Sequence, residues 1–101
     1  MSNIMVRYTV KPERAAENEQ LVRAVYDELA GAAPDGFRYA TFVLDDGVSF
    51  VHIASITTDE GQNPLREVKA FAEFQNDVAA RCEQAPCVTG FREVGSFRFF
   101  A

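Results

Sequence analysis

Residues 37–57 read FRYATFVLDDGVSFVHIASIT, and the fold turns on how this stretch is folded. Asp46-Gly47 at its centre is a hairpin signal. Aspartate and glycine tolerate the positive φ angles of two-residue turns, and those turns match the twist of the strands they join. With Asp46 and Gly47 as the turn, Asp45 faces Val48, Val43 faces Phe50 and Thr41 faces His52. Side chains alternate along a strand. One face therefore carries Tyr39, Thr41, Val43, Phe50, His52 and Ala54, and the other Arg38, Ala40, Phe42, Leu44, Val51 and Ile53. Neither face is mostly charged, so both are expected to be covered. The pattern leaves open which of them lines a pocket, because a one-residue change in the turn exchanges the cross-strand partners.

Working outward, residues 4–11, IMVRYTVK, alternate as a strand, with Ile4, Val6, Tyr8 and Val10 on one face and Met5, Arg7, Thr9 and Lys11 on the other. Pro12 and Glu13 suit the first turn of a helix. That helix is expected over 13–30, its buried stripe formed by Asn18, Leu21, Val22, Val25 and Leu29, with Gly31 as its C-cap. Glu17, Glu19, Asp27 and Glu28 read as its solvated face. Beyond the hairpin comes a polar connector containing Gly61. Asn63 and Pro64 then open a second helix, predicted to run to about Cys82 through Leu65, Val68, Phe71, Ala72, Gln75, Val78 and Ala79, with Phe74 broadening the stripe. Ala85-Pro86 is expected to end it. The last segment, CVTGFREVGSFRFFA, is β-prone, with bends at Gly90 and Gly95.

The order strand, helix, strand, strand, helix, strand predicts an α+β, ferredoxin-like βαββαβ fold in which one antiparallel sheet carries both helices on one face. Residues 1–101 are read as one such domain. The other sheet face would then show large apolar groups, whichever hairpin face it is. A second copy of the chain is the economical cover, and Phe97, Phe99 and Phe100 near the end suit the same interface. The expected partner is the chain itself, as a homodimer.

Composition narrows the function. The net charge is −5 and the basic residues do not cluster, which argues against nucleic acid and against anionic membrane surfaces. No apolar run approaches a bilayer span, and the first residues lack a secretory pattern, so the cytoplasm is the expected location. Cys82 and Cys87 are separated by four residues and are read as free thiols; with His52 as the one histidine, the ligands of a metal site are lacking.

The segments RYTVKPE (7–13), RYATFVLDDGVSFVHIAS (38–55), NPL (63–65) and EVGSFRFF (93–100) together resemble the dimeric α/β-barrel superfamily, closest to small members near the antibiotic-biosynthesis monooxygenase-like group. The resemblance implies two sheets stacked face to face in a dimer, helices outside, and a pocket within each subunit or at the seam. Haem-degrading members use a helix-borne His with a Trp and an Asn. This chain has no Trp, and its His lies on a predicted strand, so no cofactor is expected. Cofactor-free members bind a phenolate and let it react with oxygen.

On that reading His52 is the candidate catalytic base, with Arg7, Tyr39, Thr41, Phe50 and His52 as ligand-binding residues for a small aromatic or quinol-like molecule. Phe42, Phe50, Phe71 and Phe74 are the candidate apolar lining. Imidazole titrates near neutrality and suits proton transfer. The competing reading of the same residues is a non-catalytic ligand-binding or dimerisation module, with His52 held by hydrogen bonds in the core and Arg7 paired with a carboxylate such as Glu93.

Overall fold

A computed structural model describes residues 2–57 and 63–99; the Gly61 connector and Phe100 lie outside them. The hairpin forms in the register its sequence dictates: β2 (Phe37–Val43) pairs antiparallel with β3 (Ser49–Ile56), with Val43 opposite Phe50 and Thr41 opposite His52. Its turn is wider than a two-residue one. Gly47 N–H donates to the Leu44 carbonyl, which centres the turn on Asp45 and Asp46, and pairing resumes with Leu44 N–H donating to the Ser49 carbonyl at 2.8 Å. Gly47 takes φ 77° after the turn. The Asp46 carboxylate accepts from the Val48 and Ser49 N–H groups and from the Ser49 hydroxyl, so it closes the loop it was expected merely to turn.

β1 (Ser2–Val10) lies beside β3, and β4 (Cys82–Gly90) beside β1, giving an antiparallel sheet in the order β2-β3-β1-β4. α1 (Ala15–Ala32) follows a short 3-10 turn at Pro12–Arg14 and lays Asn18, Val22 and Val25 on the sheet. Gly31 lies inside α1. The left-handed cap is Ala33, at φ 42°, whose N–H donates to the Leu29 carbonyl at 2.7 Å. The helix runs two residues past the predicted end, through Gly31 and Ala32, and stops at the left-handed Ala33.

The second helical region is not continuous. After a 3-10 turn at Pro64–Glu67, where the Asn63 side chain accepts from Leu65 N–H as expected of a cap, Val68 is extended and buried. α2 (Lys69–Gln75) and the single turn α3 (Val78–Arg81) follow, separated at Asn76-Asp77. Two forces outweigh the helical spacing. The extended backbone sends Val68 into the core. The new helix start is then capped from a distance: Glu28 of α1 accepts from Lys69 N–H at 3.0 Å and from Ala70 N–H at 2.9 Å. A carboxylate is favourable at that positive helix end. Glu28 therefore locks α1 to α2 rather than standing in solvent. The last turn ends at Arg81, beside the expected end near Cys82, but Ala85-Pro86, expected to mark that end, falls within β4, where the register against β1 shifts between Arg7 and Thr9. Proline is tolerated there because β4 is an edge strand.

The core lies between sheet and helices: Tyr8, Val10, Val22, Val25, Phe50, Leu65, Val68 and Phe74. Burying each of the larger apolar side chains contributes about 1.5–3 kcal/mol. The Tyr39, Thr41, Phe50 and His52 face of the hairpin is the one under the helices. Arg7, Met5, Ala40, Phe42, Val51 and Ile53 lie on the opposite face by strand alternation. Residues 91–99 form neither helix nor strand and are exposed, Val94 at 92% and Phe97 at 81%.

Candidate functional site

A chain of polar side chains runs through the apolar core from α3 to the β2 edge. It begins at Arg81, which is 0% exposed. Its Nε donates to Asn18 Oδ1 at 3.1 Å, one terminal nitrogen donates to the Phe74 carbonyl at 2.6 Å, and the guanidinium sits 5.2 Å from the Phe74 ring centre. Among the described residues no carboxylate forms an ion pair with it; the ion pairs join Arg14 to Glu17 and Asp77, and Arg23 to Glu19. Asn18 Nδ2 donates to the Tyr8 hydroxyl at 2.9 Å, and that hydroxyl meets His52 Nε2 at 2.8 Å. On the far side of the ring, His52 Nδ1 is 2.6 Å from the Tyr39 hydroxyl and 3.1 Å from Thr41 Oγ1, and Thr41 Oγ1 is 2.7 Å from the Tyr26 hydroxyl.

His52 is 5% exposed, with Tyr8, Tyr39 and Phe74 rings around it. Burial alone drives its pKa down to about 4, so the imidazole is neutral near pH 7. Burial raises the phenols of Tyr8, Tyr39 and Tyr26, which stay protonated. No buried side-chain nitrogen or oxygen among the described residues lacks a hydrogen-bond partner.

Two cavities open at the Tyr39 end, one on each side of Tyr26. The first, about 250 Å³, is lined by Val22, Tyr26, Thr41, Val43 and Phe50, with Glu19 and Arg23 also in its wall. The second, about 320 Å³, is lined by Tyr26, Leu29, Ala33, Pro34, Phe37 and Tyr39. Tyr26 stacks on Tyr39 with ring centres 5.4 Å apart, and Phe37 stacks on Tyr39 at 5.6 Å. The two cavities share Tyr26 and together make an aromatic groove, with Thr41 in the wall of the first part and Tyr39 in the wall of the second.

Of the residues singled out from the sequence, Tyr39, Thr41 and Phe50 line this groove. His52 stands one layer behind, with both ring nitrogens engaged by protein groups. Arg7 does not join them: as the strand neighbour of Tyr8 it points to the other sheet face, where it is exposed and makes no ion pair with Glu93. Phe42 lies on that face too, while Phe74 packs beside His52 in the core and Phe71 stacks on Phe74, neither lining a cavity described above. Sequence reasoning missed Tyr26 and Arg81. The signal for Arg81 was there: Phe74, Val78 and Arg81 recur at four- and three-residue steps, the same spacing that marks a buried stripe. Among the described residues no group of three His, Cys, Asp or Glu side chains gathers to hold a metal, and no helix is long and apolar enough to cross a membrane.

The fold is an antiparallel, ferredoxin-like α+β fold, and solved proteins named as antibiotic biosynthesis monooxygenases share it. A Nitrosomonas europaea protein named as a candidate antibiotic biosynthesis monooxygenase superposes with a TM-score of 0.74 at 15% identity, covering 94% of this chain and 100% of that one. The Mycobacterium tuberculosis protein Rv0793 gives 0.68 at 18% identity over 94% and 96%. A variant of SnoaB, a cofactor-independent oxygenase from Streptomyces nogalater, gives 0.64 at 20% identity over 96% of each chain. At these identities the likeness is one of fold. No family model and no curated protein sequence matches the chain.

Proposed function

We propose that the chain acts as a homodimer that takes a small phenolic or quinol-like molecule into the groove around Tyr26, Tyr39 and Thr41 and oxygenates it without a cofactor. The observation that carries this is the groove itself: stacked aromatic rings over a row of hydroxyls, in a fold shared with a protein named as a cofactor-independent oxygenase. In such a reaction the electrons come from the substrate. Once the substrate has lost a proton, an activated ring carbon of its anion, the CH₂ carbon of an anthrone or a ring CH beside the oxygen of a hydroquinone, combines with O₂. One oxygen atom stays as a new carbonyl and the other leaves as water with the two hydrogens. Tyr39 and Thr41 touch the substrate in this scheme. His52 works behind them, since neither ring nitrogen is open to a ligand.

The homodimer rests on the sheet face away from the helices, where Met5, Ala40, Val51 and Ile53 are only half-buried, and on Val94 and Phe97, which project from the segment after β4. Pairing two such faces removes that apolar surface from water.

Oxygen uptake with hydroquinones and anthrones tests the reaction. Turnover that falls at least tenfold in Tyr39→Phe and in Thr41→Val supports it; no uptake with any of these compounds sinks it. A second reading, a ligand-binding module without catalysis, is favoured by one observation: every buried polar side-chain atom among the described residues is already satisfied within the protein. Tight binding of a phenol with no oxygen consumption would select it.

A further inference from the structure

The polar chain through the core runs in one direction, and its direction is set at Arg81. A guanidinium has only donors. Arg81 Nε therefore fixes the oxygen of Asn18 toward itself and turns the amide nitrogen toward Tyr8. The Tyr8 oxygen receives that N–H, so its own hydrogen is left for His52 Nε2. Nε2 must then be the acceptor nitrogen, and the proton of the neutral ring sits on Nδ1, facing Tyr39 and Thr41. Three hydrogen bonds join His52, Tyr39, Thr41 and Tyr26. The four groups bring four hydrogens: one on Nδ1 and one on each hydroxyl. At least one hydroxyl hydrogen has no acceptor within the set and is free for the groove.

We infer that Arg81 and Asn18 are positioning residues that hold His52 in its Nδ1–H tautomer, making the groove wall a hydrogen-bond donor suited to an oxyanion, the phenolate rather than the phenol. The ligand class rests on the function proposed above; the tautomer does not. A buried guanidinium with no carboxylate partner among the described residues is costly in an apolar core. Here its charge stands at the inner end of a relay whose last hydrogen points at the ligand site. Its field reaches its surroundings in a minor way: burial raises Tyr8 and Arg81 opposes that rise after the Asn18 hydrogen bond, while Glu17 is held low chiefly by Arg14, with Arg81 adding a little.

The test uses the fact that the chain has one histidine. Two-bond ¹H–¹⁵N correlation on the ¹⁵N-labelled chain at neutral pH reads both ring nitrogens without assignment. The expected spectrum has a protonated Nδ1 and an unprotonated Nε2; a proton on Nε2 overturns the inference. Asn18→Asp gives the second arm. Aspartate keeps the shape and pairs with Arg81, yet it only accepts. Tyr8 then donates to Asp rather than to His52, and the ring proton should move to Nε2. A well-folded Asn18→Asp protein that keeps the Nδ1–H tautomer refutes Arg81 and Asn18 as its source.

Binding of para-nitrophenol, followed by the colour of its phenolate, reads the consequence. The wild type should favour phenolate over phenol about tenfold, lowering the bound probe's pKa by about one unit, and Asn18→Asp should lose that preference. Equal affinity for the two forms in the wild type refutes the donor wall. Failure of the wild type to bind the probe in either form removes the aromatic ligand and with it the oxyanion assignment, while the tautomer spectrum still decides the role of Arg81 and Asn18.

Discussion

Lowering the pH from 7 to 5 should cost this protein about 2 kcal/mol of stability, and His52 should account for it. Burial holds the folded-state pKa at about 4, against 6.5 for an unperturbed imidazole. Between those values the unfolded chain binds a proton that the folded chain refuses, so stability rises with pH across the window. It is fully present above about pH 6.5 and falls by about 1.4 kcal/mol per unit as the pH drops toward 4, for a total of about 3 kcal/mol. The carboxylates whose titration is displaced, Glu17 and Asp46, are displaced downward from 4.5 and 3.8, so their contributions are lost mainly below pH 5 and bear little on the step from pH 7 to pH 5. Urea unfolding at fixed protein concentration measures the effect. With a slope of about 1–3 kcal/mol per molar urea, the midpoint should move down by about 1 M between pH 7 and pH 5. His52→Asn, which does not titrate, should show little of this dependence. An unchanged wild-type midpoint, or an imidazole that titrates near 6.5 by NMR, would refute the buried, doubly bonded His52.

Three further outcomes follow from the same packing. Tyr8→Phe orphans the Asn18 amide donor and His52 Nε2 together, and should destabilise by about 2–4 kcal/mol in urea unfolding. Glu28→Ala removes the cap that α1 supplies to the start of α2 and should cost about 1–2 kcal/mol, with hydrogen exchange accelerating first at Lys69 and Ala70. Ile53→Glu puts a charge on the apolar sheet face and should turn a dimer into a monomer by sedimentation, with little change in the circular dichroism; a wild type that sediments as a monomer at micromolar concentration removes the dimer instead.

The hairpin, its register and the first three strands were legible because period-two alternation and an Asp-Gly signal act locally; the fourth was expected in residues 87–101 and lies instead at Cys82–Gly90, with 91–99 outside the sheet. Val43 opposite Phe50 and Thr41 opposite His52 needed nothing from the rest of the chain. The second helical region was misread for the opposite reason. Its spacing is helical throughout, and what breaks it is Glu28, forty-one residues before Lys69, together with the demand for Val68 in the core. The site was half legible. Tyr39, Thr41, Phe50 and His52 share a face by alternation, but only three-dimensional packing reveals which layer covers that face, and so which of them meets a cavity. Arg7 was grouped with them on chemistry, and its odd step from Tyr8 already assigned it to the other side. Arg81 went unread because arginine seldom lies in a core without a carboxylate.

The exposed rim of the sheet at β4 also shapes how the molecule can associate. Pro86 offers no N–H to an incoming strand, and the register shifts opposite Arg7 and Thr9 interrupt the even row of donors and acceptors that strand addition requires. An open filament grows when sheets join rim to rim without closing; here one of the two rims is a poor template. The proposed homodimer would instead use the broad apolar face, where a twofold pairing consumes the sticky surface in a single step and leaves nothing for a third chain to extend. The same proline that was expected to close the second helix thus works against fibre growth in the folded protein.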